Sequence, residues 1–142
     1  MPRFVLLYHD CPPSYERPSH WDLMLEAGEM LRTWALPQLP RDWQQWQART
    51  AVSHRECAAT DEENVVRAQR LPDHRIDYLQ LEGALSGDRG SVERIERGAY
   101  SEETEEPGCW RLTLTGSEWS GRITLRQVTS DGVLWKLTVK AS

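Results

Sequence analysis

The chain is short of several things. It has one phenylalanine, and only two lysines, Lys136 and Lys140, against 15 arginines. Its three cysteines, Cys11, Cys57 and Cys109, form no C-x-x-C pair. An odd, widely spaced set of thiols suggests neither a disulfide framework nor a zinc knuckle, and the three read as ordinary buried or half-buried side chains. No apolar run approaches the roughly 18 residues of a spanning helix, and the short "FVLLY" near Met1 lacks a signal peptide's cleavage site. The expectation is a cytoplasmic protein with no membrane segment. Positive charge is also scarce: the net charge is −5, which argues against a protein that coats nucleic acid non-specifically, because that mode needs a basic surface to displace counterions. A small local basic site is still allowed. Guanidinium suits bidentate phosphate contacts, although the codon usage of a GC-rich genome explains the arginine excess equally well. Repeats, linkers and low-complexity stretches are absent, so residues 1–142 read as a single domain.

What is present is a strand pattern. Seven tryptophans and 39% hydrophobic residues supply one compact core. Turn signals such as "CPPS", "EAGE", "LSGDRG", "EEPG" and "TSDG" recur, with short runs between them. Strands are expected at 3–9, 20–27, 30–36, 77–83, 91–100, 109–115, 121–128 and 132–140. In "WRLTLT", Trp110, Leu112 and Leu114 alternate with Arg111, Thr113 and Thr115, a period of two. Residues 41–50 have helical character, with Trp43 and Trp46 three apart and packed over one barrel end. Residues 54–71 lean to strand, although "TDEE" from Thr60 also fits a capping box. The acidic "SEETEE" at 101–106 reads as a solvated hairpin end. The fold class is mainly β: a closed or nearly closed β-barrel with one or two short helices.

Four histidines occur: His9, His20, His54 and His74. If residues 20–26 are a strand, His20, Asp22, Met24 and Glu26 share one face, and Trp21, Leu23 and Leu25 the other. An imidazole and a carboxylate at i and i+2 lie roughly 7 Å apart at the backbone and converge easily on one ion. His9, at the end of "FVLLYH", is a natural third ligand, and two imidazoles with a carboxylate suit Mn, Fe(II) or Zn. An H-x-D pair on a polar strand face also occurs by chance. His74 could merely cap a turn, Tyr78 could be core, and Arg89 a surface turn residue.

The ordered series "YHD", "HWDLMLE", "LRTWALP", "DHRIDYLQLEG", "RGAY" and "WRLTLTGSEWSGRITLRQV…WKLTVK" spans nearly the whole chain. It resembles the 3′-phosphoesterase domain at the front of bacterial DNA ligase D, which also exists as a free-standing protein. The family pattern runs approximately K-H-x-A-R-R-L-H-Y-D-F-R-L-E, L-K-S-W-A-V-P, E-D-H-P-L-D-Y-x-x-F-E-G, then R-G-x-Y. The resemblance implies a β-barrel with a pocket at one side. It also implies a manganese-dependent hydrolase that removes a 3′-terminal ribonucleoside or 3′-phosphate from DNA or DNA–RNA ends in end-joining repair, with a repair ligase or polymerase as partner. By the same resemblance His9, His20 and Asp22 are the metal ligands, His74 contacts the scissile phosphate, and Tyr78 shares its pocket. His74 and Tyr78 are thus the expected catalytic residues.

Three departures qualify this. Met24 stands where the family has a phosphate-gripping arginine, Pro72 replaces an acidic residue, and "DCPPSYERPS" rebuilds the turn between His9 and His20. Losing one charge-assisted phosphate contact costs ~2–4 kcal/mol of transition-state stabilisation. Arg89, flanked by Gly87 and Gly90, and Arg17 from the longer loop are the expected substitutes. Two other readings follow: a non-catalytic metal- or nucleic-acid-binding relative of the domain, and an Fe(II) oxygenase using His20 and Asp22 with His74.

Overall fold

The computed structural model describes residues 1–15, 17–47, 64–85 and 89–141. Nine strands occur among them: β1 (Arg3–Asp10), β2 (His20–Ala27), β3 (Met30–Leu36), β4 (Val65–Arg75), β5 (Gly83–Ala84), β6 (Ser91–Glu106), β7 (Cys109–Gly116), β8 (Ser120–Gln127) and β9 (Leu134–Ala141). They pair antiparallel in the order β1-β2-β3-β4-β9-β8-β7-β6, and β6 pairs back onto β1, closing an eight-stranded barrel with β5 outside it. Closure depends on the length of β6, which lies along β1 through Ser91–Ala99 and along β7 through Gly98–Glu106. The exchange falls at Gly98, where a Cβ would stand 2.0 Å from the Thr115 carbonyl oxygen, so only glycine lets the strands come this close.

The period-two pattern sorts the faces as expected. Trp21, Leu23 and Leu25 of β2 join Phe4, Leu6, Tyr8, Trp110, Leu112, Leu114, Ile123, Leu125, Leu137 and Val139 in the barrel interior. On β7, β8 and β9 the outward side chains are polar and largely solvated, for example Arg111, Arg122 and Lys140. On β1, β2 and β3 they are not. Val5, Leu7, Met24 and Leu31 point outward yet are buried with Leu79 and Val92, and Ile76, Tyr78, Leu81 and Leu85 pack against them. This second apolar layer, supplied by the segment before β6, turns one outer wall into an interior.

Several expectations change. Residues 77–83, read as a strand, form a 3₁₀ turn at Ile76–Leu79 and contribute only Gly83 to β5. The reason is spacing: Ile76 and Leu79 are three apart, so a 3₁₀ turn delivers both to the outer layer, which a strand would not. The "SEETEE" run is the largely exposed end of the β6–β7 hairpin, as expected, and it is strand up to the turn. Cross-strand partners fix its carboxylates: Glu102 accepts from Trp110 Nε1, Glu103 from Thr113 and Arg122, and Glu105 from Arg32. Of residues 54–71, the part from Val65 is strand; 54–63, with His54, Cys57 and the "TDEE" motif, lie outside the described residues. Pro72 is tolerated in β4 because the β9 pairing ends at Gln69↔Leu134 and the β3 pairing is irregular between Leu31 and Thr33. The helical reading of 41–50 holds as a 3₁₀ turn at Arg41–Trp43 followed by α1 (Gln44–Gln47), the remainder lying outside the described residues. Trp43 meets Trp119 edge-to-face at 5.4 Å, so the turn stoppers the barrel as expected. Among the described residues no helix is long and apolar enough to cross a membrane.

One buried carboxylate holds the β7–β8 turn. Glu96 accepts from the backbone N–H groups of Arg97, Ser117, Glu118 and Trp119 and from the Ser117 hydroxyl. Replacing it by alanine strands these donors, each worth about 1 kcal/mol net. Glu96→Ala is expected to cost about 3 kcal/mol and to lower the thermal midpoint by roughly 10 °C, measurable by calorimetry against Glu93→Ala, an exposed control on the same strand.

Candidate metal centre and adjoining groove

The register of β1 on β2 sets His9 opposite His20 and Leu7 opposite Asp22. All four side chains lie on the outer wall, and Val5↔Met24 continues the same face. The three expected metal ligands are therefore brought together. His9, His20 and Asp22 are all buried. His20 Nε2 stands 3.1 Å from Asp22 Oδ1, and His9 Nδ1 stands 3.9 Å from Asp22 Oδ2.

Backbone carbonyls orient both rings. His9 Nε2 lies 2.7 Å from the Arg89 oxygen and His20 Nδ1 lies 2.8 Å from the Pro18 oxygen. A carbonyl only accepts, so each of these nitrogens carries a proton, and the other nitrogen of each ring is the one facing the carboxylate. Metal-ligating histidines are held in this way. Asp22 Oδ1 is buried yet makes no hydrogen bond of acceptable geometry, leaving acceptor capacity turned into the site. These residues fit a divalent cation: two oriented imidazoles and a carboxylate with an unsatisfied oxygen would hold it.

Cys11 and Cys109 are free and half-buried as expected, and the structure adds a neighbourhood for one of them. His9, Cys11 and His20 form a group whose ligand atoms all lie within 4.8 Å of one another, so the thiol set aside from the sequence belongs to the cluster that could hold a metal ion. Its signal was the spacing His9-x-Cys11, the same i, i+2 relation as His20-x-Asp22. Burial, then the charges of Asp22 and Asp10, push the Cys11 thiol up to about 11. Tyr15, in the same turn, packs its ring 5.6 Å from His9 and was likewise missed.

A groove of about 450 Å³ lies alongside, lined by Arg17, Leu71, Pro72, Asp73, His74, Arg75, Tyr78 and Arg89. The four residues expected to handle phosphate thus share one cavity. His74 Nδ1 donates to the Pro72 carbonyl at 2.9 Å, and its ring meets Tyr78 edge-to-face at 5.0 Å. Arg17 also lines a second cavity that includes His20. His74 itself stands apart from the ligand cluster: it pairs with Leu31 on β3, whereas Ala35 is level with Asp22, on the order of 13 Å away along the strands. The ligand set His20, Asp22 and His74 that an Fe(II) oxygenase would need is not assembled.

Met24 lies on the expected face, 1% exposed and enclosed by the apolar outer layer. A charged group there would be buried without an evident partner. Gly90 does something other than approach an anion. With φ +89, its Cα lies so close to Asp10 that a Cβ would meet the Asp10 carbonyl oxygen at 2.0 Å, and this contact carries the Arg89 carbonyl to His9. Gly87 lies outside the described residues.

No protein-family model matches the chain, and no curated protein matches it.

Burial, the largest influence on His20, pushes its pKa down, but Asp22 and the Pro18 carbonyl outweigh burial and the imidazolium persists above its ordinary value. A cation must displace that proton. Metal affinity is therefore expected to fall as pH drops through neutrality, with proton release detectable by titration calorimetry in buffers of different ionisation enthalpy. Without metal the sign reverses. The His20–Asp22 pair contributes stability fully present below pH ~6.5 and lost as pH rises through the raised folded value, and Asp22→Asn should abolish that dependence in thermal melts. Gly90→Ala should weaken metal binding by about tenfold or more, since it displaces the carbonyl that orients His9.

Proposed function

We propose that this chain is a metal-dependent phosphoesterase acting on nucleic-acid 3′ ends, removing a 3′-phosphate or a 3′-terminal ribonucleoside from DNA or a DNA–RNA junction, as its motifs resemble those of the ligase D 3′-phosphoesterase domain. One observation carries the reading. The Arg89 carbonyl accepts the hydrogen bond of His9 Nε2–H while the Arg89 residue lines the groove with Arg17, His74 and Tyr78, so one segment ties the candidate ligand cluster to the groove.

The chemistry divides between the two parts. A divalent cation held by His9, His20 and Asp22, manganese by the resemblance, would supply Lewis-acid charge for a phosphoryl oxygen. His74, with Nδ1–H committed to Pro72, presents Nε2 to the groove, and as the imidazolium that nitrogen would donate to a phosphate oxygen or pass its proton to the leaving oxygen. Tyr78 braces that ring edge-on. Arg17 and Arg89 supply the positive charge that Met24 does not, and guanidinium pairs with phosphate bidentately. The acidic surface confines nucleic-acid contact to the end held in the groove, and a repair ligase or polymerase is the partner such an activity would serve.

Met24 favours a second reading, in which the chain binds metal or nucleic acid without turnover. Incubation with Mn²⁺ and a primer-template bearing a 3′-phosphate or one 3′-ribonucleotide separates the two. Turnover abolished in His9→Ala and Asp22→Ala, and reduced about tenfold or more in Arg89→Ala, is the expected result. Measurable Mn²⁺ binding with no turnover of either substrate would overturn the enzymatic reading, and an unaffected rate in Arg89→Ala would remove that residue from the site.

A further inference from the structure

We infer that Cys11 is itself a ligand of the metal, completing with His9 and His20 a nitrogen and sulfur set that holds zinc-class ions in preference to manganese. The inference rests on the reading that His9 and His20 hold an ion, and goes beyond it in the identity of that ion.

Cys11 is held at the site rather than merely near it. Its backbone N–H donates to Ser19 Oγ at 2.9 Å, stitching the end of β1 to the residue before His20. The thiol makes only weak contacts there: its S–H donates to the His9 carbonyl at 3.8 Å, and Sγ lies 4.0 Å from His20 Nδ1, the nitrogen that would give up its proton and the Pro18 carbonyl to bind an ion beside the sulfur. A sulfur and a nitrogen bound to one tetrahedral zinc, with bonds near 2.3 and 2.0 Å, stand about 3.5 Å apart. The three donors of His9, Cys11 and His20, mutually within 4.8 Å, need to close by only about an ångström, and the half-buried turn carrying Cys11 is the side from which that movement can come.

Ligand softness then decides the metal. Imidazole and carboxylate alone are compatible with manganese, whereas thiolate selects zinc and its neighbours. On binding, the sulfur–metal bond forms as the S–H bond breaks, and the proton passes to solvent. No electron is transferred and no co-reactant is required.

Cobalt(II) is the probe, because cobalt bound by thiolate has an intense near-ultraviolet charge-transfer band that nitrogen and oxygen ligands do not produce. The full chain titrated with Co²⁺ is expected to develop this band. Cys11→Ser should lose the band while keeping visible ligand-field absorption, and Cys109→Ser should keep both. Competition should show Zn²⁺ affinity at least about tenfold weaker in Cys11→Ser, with Mn²⁺ affinity changed much less. Cobalt binding without the band, or a band that survives in Cys11→Ser, would overturn the inference and leave the metal centre of His9, His20 and Asp22 standing. No cobalt, zinc or manganese binding by the wild-type chain would overturn both.

Discussion

The pairing of β1 with β2 is the constraint on which the rest of the site depends. With His9 opposite His20, both imidazoles, Asp22 and Met24 face the outer wall, while Tyr8, Trp21 and Leu23 fill the barrel. Side chains alternate with a period of two, so a slip of one residue would exchange the two sets. Histidines and a carboxylate would then enter a core of tryptophan and leucine, and the tryptophan would face the outer layer. The penalty for burying a charge without a partner runs to several kcal/mol, and so the interior holds the register that the site needs. Packing on one side of the sheet thereby positions chemistry on the other.

Among the described residues two carboxylates are buried, and they are treated in opposite ways. Glu96 is surrounded by five donors and its charge is absorbed entirely by the turn it organises. Asp22 receives no such enclosure: among the described residues no backbone N–H or hydroxyl donates to it, and the groups facing the carboxylate are His20 Nε2 at 3.1 Å and His9 Nδ1 at 3.9 Å. A carboxylate that is only structural is satisfied in the way Glu96 is. Asp22 depends on the two imidazoles alone, and an ion taking the place of the His20 proton would keep that carboxylate partnered.

What could be read in the sequence was what depends on local alternation. The parity of His20, Asp22 and Met24, the inward run of Trp110, Leu112 and Leu114, and the barrel class all follow from side chains two residues apart. What could not be read depends on segments distant in the chain. The outer layer exists because residues 76–85 fold back over β1–β3, and nothing in "IDYLQL" distinguishes that 3₁₀ turn from a strand except the three-residue spacing of Ile76 and Leu79. Likewise the exposure of "SEETEE" is legible but its cross-strand partners are not, because Arg32, Trp110 and Arg122 arrive from β3, β7 and β8. Cys11 joined the site only because the rebuilt turn before His20 closes on itself through Ser19. His74 and Tyr78 are expected together from family likeness, and Arg17 and Arg89 from the loops that depart from it, and the groove brings all four together.

Because β6 serves both β1 and β7, each of the eight barrel strands has a neighbour on either side. A sheet of this amount of β-structure would normally offer a row of unpaired amide and carbonyl groups to any other extended chain, and so a template for aggregation. Here that row is consumed within the molecule, and the glycine at position 98 is the residue that permits it. The closure that leaves the eight barrel strands without an open edge rests, in consequence, on a missing methyl group.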